Sequence, residues 1–324
     1  MQVRFGYVAM SVIVQNASPS KTMTATNFSK LQDREAAIRK LERIAEENIH
    51  NTLRLLRHNR AHGIEVFRFS SRLIPLIGHE LLAGWDPYPV LAGPFAELGA
   101  YVREHGMRVS FHPDHFTVLS TPRKEVLDSS IADLNRHVRM LEAMGLDTRA
   151  KSNIHIGGTY GNKPSARERF VRHFGLLGDE VRQRLTLEND DKTFNAAETL
   201  SVCEEVGVPM VLDVHHHAVN NDGESAESLW PRIAATWDGP NGSGLAPKIH
   251  VSSPKSEADP RGHADYVEAG PLHHFLQSIA ASTPRLDVMI EAKRKDDALM
   301  KLVEELSGLD GVKRSGEAAV ELGG

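Results

Sequence analysis

Short apolar runs of strand type alternate with longer helical patterns along nearly the whole chain, and that alternation leaves few folds open. Residues 3–9, 64–69, 107–111, 152–156, 185–188, 209–214, 248–251 and 286–291 read as eight strands. Helix signals lie between them. Asp33 caps a pattern that puts Ile38, Leu41, Ile44 and Ala45 on one face, and Gly63 stops it. Gly106, Gly145 and Gly207 end later helices, while Ser165 and Asn195 open others. Eight such units in 324 residues, without a Pro/Ser-rich linker, predict a single (β/α)8 TIM barrel over residues 1–306. A doubly wound open sheet gives similar alternation, but the count and length favour the barrel. Residues 307–324 read as a loosely ordered C-terminal tail. The polar segment 11–30 reads as a loop.

In such barrels chemistry sits at the carboxyl ends of the strands. Those ends carry His112, His155, Glu188, Asp213 with His216, His250 and Glu291 at strands three to eight, with His79 just beyond strand two and His263 after strand seven. Burying one unpaired charge costs several kcal/mol. Six strand ends with ligand-type residues on one rim therefore predict a polynuclear metal site at the C-terminal rim. Val211-Leu212-Asp213-Val214-His215-His216-His217, an apolar strand running into a carboxylate and three imidazoles, is its densest part. Imidazole and carboxylate without thiolate suit Mn²⁺, Zn²⁺ or Fe rather than Mg²⁺. Strict alternation pairs Asp213 with His215. His50, His58, His62, His105, His137 and His173 fall on helix faces away from the rim and are expected in solvent, and His273 and His274 open a helix.

Lys248 shares a face with His250 by the same alternation. An ammonium there meets a cation cluster, which depresses its pKa. The neutral amine can take up carbon dioxide as a carbamate and become a bridging ligand; alternatively the side chain bends away to solvent.

Composition narrows the partners. Charged residues at 25% and apolar residues at 40% are those of a soluble globular protein. The net charge of -5 gives no global attraction to nucleic acid, so DNA contact requires a local basic patch. Lys163, Lys192, Lys255 and Lys293 lie just past strand ends and can supply one. The single cysteine, Cys203, excludes an internal disulfide and suits a reducing compartment. No signal peptide and no membrane span are read, so the expectation is an intracellular, cytoplasmic protein.

Several runs resemble the UV damage endonucleases: Arg68-Phe69-Ser70-Ser71, Ser110-Phe111-His112-Pro113, Asn153-Ile154-His155-Ile156-Gly157-Gly158, Leu187-Glu188-Asn189-Asp190-Asp191, Lys248-Ile249-His250-Val251-Ser252-Ser253-Pro254-Lys255, Gly262-His263-Ala264-Asp265-Tyr266-Val267 and Met289-Ile290-Glu291-Ala292-Lys293. The resemblance spans residues 5–314. It implies a relative of the endonuclease IV barrel with up to three divalent ions, Mn²⁺ favoured, that nicks damaged double-stranded DNA on the 5′ side of UV photoproducts. The ligands it implies are His79, His112, His155, Glu188, Asp213, His216, His250, His263 and Glu291, with Lys248 carboxylated and Glu188, Lys248, His250 and Glu291 closest to the chemistry. It selects His216 over His215. Tyr7 and the pair His115-Phe116 match lesion-probing residues, although the family's usual Gln is His115 here. A monomer without an obligate protein partner is expected. The rival functions are a sugar isomerase on the same barrel, which the 6% aromatic content supports poorly, and a non-catalytic damaged-DNA-binding protein.

Overall fold

The computed structural model describes residues 1–323, and Gly324 lies outside the described residues. Strands β1 (Gln2–Val8), β2 (Val66–Arg68), β3 (Arg108–Phe111), β4 (Lys151–His155), β5 (Leu185–Glu188), β6 (Met210–Asp213) and β7 (Lys248–Val251) run parallel in sequence order. A separate antiparallel hairpin follows, β8 (Pro254–Ser256) and β9 (Asp259–His263). Strand β10 (Arg285–Ile290) then pairs in parallel with both β7 and β1 and closes the barrel. The predicted TIM barrel is therefore the fold.

Helices α1 (Ala25–Ser29), α2 (Arg34–Ala61), α3 (Tyr88–Glu104), α4 (Lys124–Ala143), α5 (Lys163–Phe174), α6 (Asp179–Arg182), α7 (Ala196–Val206), α8 (Val214–Val219), α9 (Ala226–Ala235), α10 (Ala269–Ile279) and α11 (Lys295–Ser307) lie between the strands. Local chemistry sets their ends. Asp33 accepts from Ala36 N at 3.0 Å to start α2. Asn195 and Glu198 form a reciprocal capping box on α7, and Gly207 ends it at φ 71°. Residues of β3, β5, β6 and β7 are all buried, as strands packed on both faces require.

The layer between β1 to β3 and the helices is aromatic, with Tyr7 bonded to Asn59 of α2 and Phe111 against His137 of α4. Tyr7, Phe67, Phe69 and Phe111 follow one another with ring centroids 5.1, 6.0 and 5.5 Å apart. At the opposite end from the strand termini, buried Asp287 accepts from Arg108 Nη1 at 2.6 Å and from Arg4 Nε at 2.8 Å. Those guanidiniums outweigh the cost of burial and hold the Asp287 carboxyl below the usual carboxylate range.

The segment 11–30, read as a loop, carries α1 with Phe28 buried, and the structure corrects three further expectations of the fold. The described part of the expected tail, residues 307–323, is not loose: β11 (Val312–Gly316) and β12 (Ala319–Leu322) make an antiparallel hairpin. Strand β12 pairs with Gln2, Val3 and Arg4, the half of the β1 edge that β2 leaves free by pairing only with Gly6, Tyr7 and Val8. Val320 and Leu322 are buried by it, a period-two pattern too short to stand out beside Lys313 and Arg314. Second, His137 and His173 are buried rather than solvated. His137 Nδ1 donates to Asp133 O at 2.9 Å and His173 Nδ1 to Leu119 O at 2.7 Å. Third, the chain after β6 turns at once into α8, so His215, His216 and His217 lie on a helix.

Candidate metal centre

Strand geometry delivers the rim side chains. His155, Glu188 and Asp213 are the last residues of β4, β5 and β6, His112 follows β3, and Glu291 follows β10. Ligand atoms of His112, His155 and Glu188 lie within 4.8 Å of one another, and so do those of Glu188, Asp213, His250 and Glu291. Glu188 belongs to both groups, so it stands where two cation positions would meet. His216 and His263 extend the wall: the rings of His112 and His155, His155 and His216, and His216 and His263 are 5.3, 5.8 and 6.2 Å apart.

Backbone carbonyls set the state of these rings. His112 Nδ1 faces Pro113 O at 2.9 Å, His155 Nδ1 faces Glu188 O at 3.2 Å, His216 Nδ1 faces Asn189 O at 3.0 Å, and His263 Nδ1 faces Glu291 O at 2.8 Å. A carbonyl only accepts, so each Nδ1 carries the hydrogen. In the neutral ring the Nε2 lone pair is then left for a ligand, the usual outer arrangement around a metal-bound imidazole.

His216, not His215, is the available ring. Asp213 ends β6 and caps α8, accepting from His216 N at 2.7 Å, so helical spacing rather than strand alternation places the next side chain. His215 is engaged elsewhere, with Nδ1 against Ser252 Oγ and Nε2 donating to Pro260 O at 2.7 Å, an anchor for the β8–β9 hairpin that carries His263.

The electrostatics call for cations. Burial raises Glu188 and Glu291, yet His250 and His155 around Glu188, and Arg68 and His250 around Glu291, outweigh it and hold both well below the carboxylate range. Burial pushes Asp213 up, with Glu188 and Glu291 adding and His216 opposing. Burial pulls His216 down, but Asp213 and Glu188 outweigh it and carry its pKa up to about 9. Within the cluster, two buried atoms lack any hydrogen bond, Asp213 Oδ2 and His250 Nδ1. The second lies 3.1 Å from both Glu188 Oε1 and Glu291 Oε1 but out of line for either. Buried, unpaired donor atoms of this kind fit a divalent metal centre, and this cluster can hold one.

Four expected ligands lie outside both groups: His216 and His263 on the wall beside them, and His79 and Lys248, which are engaged elsewhere. His79 caps a short turn, its Nδ1 accepting from Leu81 N at 3.2 Å. Lys248 is buried, its Nζ 3.2 Å from Ser110 Oγ. It does not bend away to solvent. Burial first, then Arg108, drives its pKa far below that of a free lysine.

Other site residues had no role in the sequence prediction. Arg68 donates from Nη1 to Glu291 Oε1 at 2.5 Å. Asn153 Nδ2 donates to Glu188 Oε2, and its Oδ1 accepts from Thr186 Oγ1 at 2.8 Å. Asn189 grips the Asp213 backbone through both its amide N and O, each at 2.9 Å. All three lie within the recognised runs, which was the only signal available for them.

The cluster opens onto a groove of about 910 Å³ lined by Arg68, His112, Lys192, His216, His263 and Glu291 among others. Phe116 is 73% exposed on the loop after β3, with His115 against its ring at 4.0 Å. Tyr7 is corrected: it is 0% exposed, and its hydroxyl donates to Asn59 Oδ1 at 2.7 Å, so it cannot touch DNA without leaving the core. Lys192 lines the groove and Lys293 is exposed at the rim, whereas Lys163 and Lys255 are engaged by Glu198 and Asp259 at 2.7 and 3.3 Å.

Known proteins resemble this chain in sequence and in fold. A relative from Halalkalibacterium halodurans named UV DNA damage endonuclease is 43% identical over 322 residues, covering 99% of each chain. The crystal structure of SacUVDE superposes with a TM-score of 0.82 at 28% identity over 95% of this chain and 100% of that one. Endonuclease IV from Thermus thermophilus shares the fold, with a TM-score of 0.55 at 14% identity over 94% of this chain and 100% of that one. The profile of the family described as UV-endonuclease UvdE matches residues 3–323. The chain belongs to the UV-endonuclease UvdE family.

Proposed function

We propose that this protein is a metal-dependent endonuclease that hydrolyses a DNA phosphodiester on the 5′ side of UV photoproducts. The observation that carries the reading is the buried double group of ligand atoms sharing Glu188 at the floor of an open groove. His112, His155, His216 and His263 would offer Nε2, and Glu188, Asp213, Glu291 and His250 the remaining donors; His79 would join them only by releasing the Leu81 amide that its Nδ1 accepts from. The donor set favours Mn²⁺, with up to three ions. A bound cluster supplies Lewis-acid activation of the scissile phosphate and of water. Within the chain, Arg68 and Asn153 hold Glu291 and Glu188 in place, and Lys192 and Lys293 draw the DNA backbone to the rim.

Lys248 is proposed as a carbamate. Its neutral amine attacks carbon dioxide, forming the N–C bond and releasing one proton. Burial beside a single hydroxyl partner supports this, because a bare ammonium there lacks compensation. Phe116, with His115 beside it, is proposed as the wedge that fills the gap left when the lesion is rotated out.

Both groups of ligand atoms come from one chain, which supports a monomer acting without an obligate protein partner. No described helix is long and apolar enough to cross a membrane, and a DNA substrate argues for the cytoplasm. Irradiated supercoiled plasmid tests the reading. A nuclease nicks it when metal is present, a binding protein shifts it uncut, and a sugar isomerase leaves it unchanged.

A further inference from the structure

Two aromatic side chains stand out among the exposed large apolar residues described, Phe116 at 73% and Tyr160 at 44% exposure. They lie on loops that leave the carboxyl ends of neighbouring strands, β3 and β4. The two loops are stitched together. Ser120 Oγ donates to Gly158 O at 3.0 Å. Gly157 approaches so closely that an added Cβ would meet Val118 Cγ1 at 2.6 Å. Arg169 donates from Nε to Ser120 O at 2.7 Å and holds its guanidinium 5.7 Å from the Tyr160 ring centre. The ring itself covers Gly158, with 3.6 Å between an added Cβ there and Cε2 of Tyr160.

The backbone of Tyr160 is in the left-handed region, at φ 50°. That conformation is unfavourable for a bulky residue, and glycines able to adopt it sit nearby at Gly158 and Gly161. An aromatic kept where glycine would be easier, half in solvent and cradled by a cation, is poorly explained by packing. Strain of this sort gathers at ligand clamps.

We propose that Tyr160 is a second base-stacking residue, which receives an unstacked base of the distorted duplex beside the step opened by Phe116. This rests on the DNA-binding reading of the groove. A planar ring on a loop braced against the Phe116 loop keeps a fixed offset from the wedge, and every base offers a π face to it. Tyr160 thereby contributes to preference for damaged over intact duplex without touching the reacting phosphate.

The test uses the full-length, metal-loaded protein and a duplex with one site-specific pyrimidine photodimer. Tyr160→Gly relieves the backbone strain, so its unfolding temperature should equal or exceed that of the parent, with metal content unchanged. Its affinity for the lesion duplex should nevertheless fall at least about fivefold, while Tyr160→Phe stays within about twofold. Should the glycine variant fail to fold, Tyr160→Leu keeps bulk without a π face and carries the same expectation. Lesion affinity equal to the parent in a folded Gly or Leu variant overturns the proposal. Phe116→Ala, measured alongside, separates the two levels. Loss with Phe116→Ala but none at position 160 defeats only the Tyr160 role, whereas a parent protein with no preference for the lesion duplex defeats the underlying reading as well.

Discussion

Asp213 and His216 are joined twice: Asp213 Oδ1 accepts from the His216 amide at 2.7 Å, and Asp213 Oδ2 lies 3.7 Å from the His216 ring Nδ1. One carboxylate thus starts the helix that presents the imidazole and stands beside that imidazole in the cluster. Its two oxygens have separable duties, because Oδ2 has no hydrogen bond and is the atom left for a cation.

Asp213→Asn separates them. Asparagine caps a helix about as well as aspartate, so α8 should persist. The variant removes one of three crowded, buried carboxylates. The metal-free protein should therefore be at least as stable as the metal-free parent, while the rise in unfolding temperature on adding Mn²⁺ should shrink or vanish. Thermal unfolding with and without metal checks this, and an undiminished metal-induced rise would count against Oδ2 as a donor.

The Asp287 pair at the other end of the barrel sets an acid limit. Its folded pKa lies below the unfolded one, so the stabilisation is fully present above the unfolded value and is lost as pH falls through the folded value. Asp287→Asn leaves Arg108 buried without its counter-charge and should cost about 3–5 kcal/mol at neutral pH. Below about pH 4 the gap between variant and parent should narrow. Denaturant titrations at the two pH values report it, and a gap independent of pH would exclude the ion pair as its source.

Tyr7 and Phe116 should behave oppositely. Tyr7→Phe strands Asn59 Oδ1 in the core and should cost about 1–3 kcal/mol of stability, leaving preference for a lesion duplex intact. Phe116→Ala should leave stability within about 0.5 kcal/mol, as for other surface changes, and lose that preference. Unfolding and gel-shift measurements on both variants decide which aromatic meets DNA.

The barrel, and most of the rim, were legible because both follow from short-range regularities: alternation of apolar runs, and ligand-type residues where strands stop. His112, His155, Glu188, His250 and Glu291 needed no more than that. His216 needed more, since alternation points to His215 until the strand is known to end in a helix cap at Asp213. Tyr7 is given a lesion-probing role by resemblance alone, and a strand-end tyrosine reads alike in sequence whether its hydroxyl meets solvent or Asn59, 52 residues away. Pairing of β12 with β1 joins the two ends of the chain, and nothing local in Ala319–Leu322 reports the free edge at Gln2 to Arg4. Arg68 was visible only as part of a run, because its partner Glu291 is 223 residues distant.

Lys248 has its own check. Protein equilibrated with ¹³C-bicarbonate and Mn²⁺-free diamagnetic metal should show a carbamate carbon resonance that is missing in Lys248→Ala. A fully metal-loaded, fully active protein without that resonance would mean that the lysine is unmodified.

The central claim is tested most directly on a duplex carrying one photodimer, with the strand ends labelled and the protein stripped by a chelator. The stripped protein should leave the duplex intact, and added Mn²⁺ should restore a single nick on the 5′ side of the dimer. Glu188→Gln, which removes the carboxylate shared by both groups of ligand atoms, should lose most of its metal and its cutting. Full-rate cleavage by the stripped protein, or an uncut duplex with metal bound, would contradict the account.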